Sequence, residues 1–226
     1  MKKILLLFVV LFIMNNAFSQ IKFGVKTGVN FASLSDVEDS YADGYSWTIF
    51  QKDGMTTGFN VGVFTNVSLG NIISFQPELL FSMQGGKQLW YEHLNGGSGI
   101  VAGPNMKYQL GYVQLPLLIE IKPVANFGVL FGAQFGFNVS RKTVYTYDGK
   151  SEYYSESEFY YFYDHGFKKN NADLVFGLQY TFIEKIIIGA RYNLGLSNNL
   201  HFSYDNWRFA KGWKSNVIQT SLSFLF

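Results

Sequence analysis

Lys26, Glu78, Glu120, Asp173 and Arg191 are ionisable residues set singly in stretches otherwise made of glycine, amide and apolar residues. Charges placed in this way either line a conduction path or neutralise one another in a closed interior, because a buried charge is costly unless it is paired. A second set is the "HFS" of His201 to Ser203. Residues two apart on a strand share a face, so a histidine base and a serine nucleophile there could carry out acyl transfer. Asp205 is the next residue on that alternating face, whereas Glu184 is expected at the opposite rim and cannot orient the histidine. So short a motif is weak evidence, and an ordinary loop or strand-end histidine is the favoured reading. His93 and His165 fall in other long links, and no metal-ligand spacing joins the three histidines. Gly85 with Gly86, and Gly96 with Gly97, precede neither a helix start nor a Lys-Ser/Thr pair. They read as flexible hairpin tips rather than phosphate cradles. No metal, cofactor or catalytic site is expected.

The elements that carry these residues are strands. Aromatic residues make up 19% of the chain, with 23 glycines and only four prolines, a balance that weakens helices and favours strands. Eight stretches alternate with period two. In "FGVKTGVNF", Phe23, Val25, Val29 and Phe31 oppose Gly24, Lys26, Gly28 and Asn30; in "FGVLFGAQFGF", Phe127, Val129, Phe131, Phe135 and Phe137 oppose Gly128, Gly132, Gln134 and Gly136. The same pattern runs through 57–69, 72–84, 112–122, 172–182, 186–197 and 216–226. The links between stretches alternate without exception. Short ones stand at 70–71, 123–126 and 184–185, and long ones run roughly 35–56, 85–107, 140–171 and 198–213. That is the pattern of transmembrane barrels with tight periplasmic turns and longer outer loops.

A soluble eight-stranded barrel buries its apolar face, and a membrane barrel turns it outward. Here the bulky face is almost free of charge while the other face is small and polar, which suits a narrow interior and a lipid-facing belt. The expected fold is therefore an all-β, eight-stranded, antiparallel up-and-down transmembrane barrel. An interior of eight strands is just wide enough to be filled by side chains, so the five charges are expected to plug the lumen as a salt-bridge and amide network.

The opening residues put two lysines ahead of an apolar run from Ile4 to Met14. This is the form of a cleaved signal peptide, residues 1–19, too short to span as a helix; residues 20–226 form the barrel domain. No cysteine occurs, which excludes disulfides, thiolate metal sites and a lipid-anchor cysteine. The 18 basic and 16 acidic residues are nearly balanced and scattered, against a nucleic-acid surface. The third long link is dense in tyrosine, and Tyr153, Tyr154, Tyr160, Tyr161 and Tyr163 could dock a surface protein or glycan. An extended hairpin with an aromatic girdle at its foot is the plainer reading.

The exit "FSQ" at 18–20, the opening "FGVKTGVNFASL", "FQPELLFSMQGGK" (75–87), "GYVQLPLLIEIKP" (111–123), "GLQYTF" and "IGARYNLGLSN" together resemble the outer-membrane β-barrel domain of PorT-like proteins, common in Bacteroidota. The resemblance implies an outer-membrane location and a small barrel, and no single activity. The terminal Phe224 and Phe226 look like the aromatic signal that barrel-assembly machinery reads on its clients. A structural or surface-binding role with a closed lumen is expected, with outer-membrane lipid and the assembly machinery as partners. The alternatives are an accessory component of a secretion or surface machinery, a lipid A-modifying barrel enzyme and a small-solute channel.

Overall fold

The computed structural model describes residues 21–35, 37–42, 46–94, 100–147, 150–154, 168–198 and 214–226. It contains β1 (Ile21–Leu34), β2 (Val37–Ala42), β3 (Ser46–Gly54), β4 (Thr56–Ser68), β5 (Ile73–Leu94), β6 (Ile100–Val124), β7 (Phe127–Tyr147), β8 (Lys150–Tyr154), β9 (Asn170–Phe182), β10 (Ile186–Gly195) and β11 (Ser215–Leu225). The signal-peptide reading lies outside the described residues.

Eight of these strands close into a barrel in the order β1, β4, β5, β6, β7, β9, β10, β11, every neighbouring pair antiparallel, with β11 returning to β1. Period-two alternation dictates this arrangement: each strand has one face that must leave water and one that cannot enter lipid. Phe23, Leu79, Phe131, Phe176 and Leu222 point outward and are exposed, whereas Lys26, Asn60, Glu78, Gln134 and Gln219 point inward and are buried. Closure leaves the ring without a free strand edge. At the seam, β1 and β11 approach so closely that a Cβ added at Gly28 would lie 1.8 Å from the carbonyl oxygen of Thr220. The seam is pinned at both ends, where Phe226 N donates to Phe23 O at 2.9 Å and Ser35 N to Lys214 O at 2.8 Å.

The three short links are turns, as their length requires. The turn between β9 and β10 holds Ile183 at φ 53° and Glu184 at φ 44°, a left-handed conformation that costs an L-residue on the order of 1 kcal/mol.

The long links of the sequence reading need correction. Much of 35–56, 85–107 and 140–171 is strand: β5 continues to Leu94, β6 begins at Ile100, β7 runs to Tyr147, and β2, β3 and β8 add to them. Gly85 and Gly86 are not a hairpin tip but sit within β5, opposite Gln109 and Tyr108. A Cβ at Gly86 would come within 2.7 Å of Leu34 Cγ, so glycine there permits close approach of β1. The extension is hard to read because its polarity is inverted where it alternates: Met106, Tyr108 and Leu110 are buried while Lys107 and Gln109 between them are half-exposed, so no apolar outer belt marks it.

Among the described residues, the wall above the ring is one-sided. β1, β9, β10 and β11 end near Leu34, Asn170, Gly195 and Ser215, whereas the sheet β2-β3-β5-β6-β7-β8 continues. β6 has 25 residues, about 80 Å of contour at about 3.3 Å each, far more than an apolar band of about 25 Å needs.

Candidate functional site

The lumen is the most heavily built part of the molecule. Lys26 on β1, Glu78 on β5, Glu120 on β6, Asp173 on β9 and Arg191 on β10 are all buried and inward-facing. Inward direction follows from strand parity, but their meeting follows from the ring. β5 and β10 stand diametrically opposite, so the 2.8 Å ion pair between Arg191 Nη1 and Glu78 Oε2 crosses the full width of the interior. Glu78 takes a second cation, Lys26 Nζ, on Oε1 at 2.5 Å, and Gln76 Nε2 donates to the same oxygen at 2.8 Å. Arg191 is held from β11, where its Nε donates to Gln219 Oε1 at 2.5 Å. One carboxylate thus ties β1, β5 and β10 together, and its side chain has no exposure.

A second carboxylate organises the level nearer the short turns. Glu120 accepts from Asn66 Nδ2 on β4 at 2.7 Å and from Gln179 on β9. Lys122 Nζ lies 3.2 Å from Glu120 Oε2. Gln76 joins the two levels, because its Oε1 also accepts from Asn66 and Gln179, each at 3.3 Å. Beyond Glu78 toward the long-loop end, Asn60 Nδ2 donates to Asn30 Oδ1 at 2.7 Å, Asn30 Nδ2 to Ser82 Oγ at 2.9 Å, and Gln219 Nε2 to the same Ser82 oxygen at 3.3 Å. Asp173 stands apart from this set, accepting from Gln134 Nε2 at 2.8 Å and Asn171 Nδ2 at 3.2 Å.

Apolar side chains seal what the polar ones leave. Phe64, Ile187 and Leu225 cluster at the short-turn end, with the Lys26 ammonium 5.2 Å from the Phe64 ring centroid. Leu118, Leu130 and Val175 pack together on the wall of β6, β7 and β9. Charge-assisted hydrogen bonds between buried groups are strong, and each bond that crosses the ring also blocks it.

Sequence reasoning put Asn30 on the polar face, and the same alternation carries Asn60, Gln76 and Gln179 there, but it gave none of them a partner. It passed over Lys122, which ends the same inward parity on β6. The signal that could have found these amides is the number of Asn and Gln on the polar face, since in a lumen with few charges some amides must meet those charges.

The remaining candidates are dispersed. Glu184 is exposed in the β9–β10 turn. His93 is in β5, paired with Trp47 and Ile100 outside the ring. Tyr153 and Tyr154 are in β8, opposite Val144 and Thr143. His165, His201, Ser203, Asp205, Tyr160, Tyr161, Tyr163, Gly96 and Gly97 lie outside the described residues. Phe224 and Phe226 face outward with rings 5.7 Å apart, edge to face.

Several solved structures are similar to this chain at low identity. Ail of Yersinia pestis, in complex with the heparin analogue sucrose octasulfate, is 14% identical, over 92% of this chain and 99% of that one, with a TM-score of 0.44. Neisserial surface protein A is 11% identical, over 90% and 97%, with a TM-score of 0.47. OprG of Pseudomonas aeruginosa is 11% identical, over 91% and 95%, with a TM-score of 0.43. No curated protein matches the chain. The family model described as outer membrane protein beta-barrel domain matches residues 15–201. With a closed ring of eight strands, an apolar outer face and a polar interior, the chain belongs to the outer membrane protein beta-barrel domain family.

Proposed function

We propose that this protein is a non-conducting, non-catalytic scaffold of the outer membrane, of the PorT-like kind, that carries a one-sided extracellular sheet and its loops as a surface for binding. The reading orients the short turns toward the periplasm and the tall sheet outward. It takes residues 1–19 as the leader that exports the chain, and Phe224 and Phe226 as the mark by which assembly machinery accepts it. The observation that carries it is the Arg191–Glu78 pair spanning the lumen, since a path closed by paired charges and packed amides conducts only if those pairs are broken. Binding then falls to the sheet beyond the ring, with the tyrosine-rich link after β8 as the contact for a surface protein or glycan.

Planar-bilayer recording of the purified full chain tests the first half: no discrete current steps are expected, and steps would turn the reading into a small-solute channel. The second half is tested by removing residues 155–167. The heat-dependent gel mobility of the barrel should persist while cell-surface partner or glycan-array binding is lost. Binding that survives the deletion would move the contact elsewhere.

A further inference from the structure

The polar groups of the lumen are not equally satisfied along its length. On the short-turn side of the Arg191–Glu78 pair, Asn66, Gln76, Glu120 and Gln179 bond one another. On the long-loop side, Gln134 Oε1, Asn171 Oδ1, both amide atoms of Asn193 and Ser215 Oγ are buried with no hydrogen-bond partner in the protein. Native interiors leave few such atoms, because each forfeits its hydration for nothing.

Asp173 lies among them, only 4% exposed. Among the described residues no lysine or arginine pairs with it. Its Oδ2 accepts from Gln134 Nε2 at 2.8 Å and Asn171 Nδ2 at 3.2 Å, whereas Oδ1 has only a longer contact of 3.4 Å with Asn171. Since each amide spends its nitrogen on the carboxylate, its oxygen is turned away, and both oxygens are among the unpartnered acceptors. What the group lacks is therefore electropositive partners, and a buried carboxylate also needs its charge balanced. Water meets the first need alone; a cation meets both.

The register builds a cradle beside the open carboxylate oxygen. Asp173 on β9 is directly opposite Gly195 on β10, which has no side chain to fill the interior there. Gly195 in turn abuts β11, where an added Cβ would lie 2.3 Å from Ser215 O. Strands stand about 4.8 Å apart, so Asp173 and Ser215 flank the glycine with about 10 Å between their backbones, the width that two short side chains and one ion fill. Asn193, two residues from Gly195 on the same inward face, stands between it and Arg191 and is also buried. β9 begins at Asn170, β10 ends at Gly195 and β11 begins at Ser215, so the cradle is near the low rim of the wall and beyond the plug. Its oxygens are hard ligands, and one carboxylate balances one positive charge, whereas calcium sites gather several carboxylates.

We infer that the lumen binds one monovalent alkali cation on the long-loop side of the plug, held by Asp173 Oδ1, Asn193 and Ser215 Oγ around Gly195. The site rests on the closed ring and not on which end of the ring faces outward.

The test is urea unfolding of the full chain in phosphatidylcholine vesicles, with sodium chloride replacing choline chloride at constant ionic strength. Choline screens charge equally and is too large for the cradle. The wild-type midpoint should rise with sodium, as it must for a ligand of the folded state alone. Asp173→Asn should lose the rise, and Ser215→Ala should need about tenfold more sodium for the same shift. Glu184→Gln, in the exposed turn at the other end, should respond as wild type. Sodium-23 NMR in detergent reads occupancy without unfolding: the wild-type barrel should broaden the signal, and Ser215→Ala, which leaves the carboxylate in place, should broaden it less. Equal wild-type midpoints in sodium and choline overturn the site, leaving Asp173 to a proton or to water. A sodium response that survives in Asp173→Asn overturns it too, as does calcium acting at lower concentration than sodium, because the occupant would then carry the wrong charge.

Discussion

Glu78→Gln is expected to destabilise the folded barrel by about 3–5 kcal/mol, the usual cost of removing one partner from a buried ion pair. The substitution keeps the size of the side chain and loses only its charge, yet it strands Lys26 and Arg191 in an interior where both were neutralised by one carboxylate. Urea unfolding in phospholipid vesicles, followed by tryptophan fluorescence, should show the midpoint falling with little change in slope. The triple change Lys26→Met, Glu78→Gln, Arg191→Gln should recover most of the loss, because an uncharged interior has no orphaned ion to solvate. A single variant as stable as wild type would mean that the lumen is wet enough to screen the cations, and the plug would then be loose.

Phe131→Arg carries the second large effect. Phe131 is 51% exposed, on the outward face of β7, with its ring 5.3 Å from that of Phe176 on β9. A cation at mid-belt on a lipid face costs about 2–4 kcal/mol. Phe131→Leu should lose only the ring contact, on the order of 0.5–1.5 kcal/mol. The gap between the two variants in vesicle unfolding reads the environment of that face directly. In a barrel standing in water with its apolar face outward the arginine would be harmless or helpful, so a gap near zero would contradict the lipid-facing assignment.

The two faces differ in how far sequence could describe them. The outward one is written largely residue by residue, because lipid favours apolar side chains at alternate positions; Phe127, Val129 and Phe131 need no partner to be read. The inward one could be read for direction only. That Glu78 chooses Arg191, 113 residues away, and that Gln179 chooses Glu120, depends on which strands stand opposite once eight have closed. Nothing in the local alternation encodes that order. The strand extensions were missed on different grounds. Met106 and Tyr108 are both buried on β6, yet no apolar belt opposes them to complete the pattern.

The central claim is a closed barrel seated in the outer membrane, with its apolar face to lipid and its charges within. Fractionated outer membranes, run on SDS gels with and without boiling and probed for this chain, test it most directly. The expected result is a band found in the outer-membrane fraction that migrates differently before and after boiling, as a detergent-resistant closed barrel does. A protein recovered in soluble periplasm with the same migration in both lanes would contradict it. The apolar face would then have to be a core or a ligand cavity.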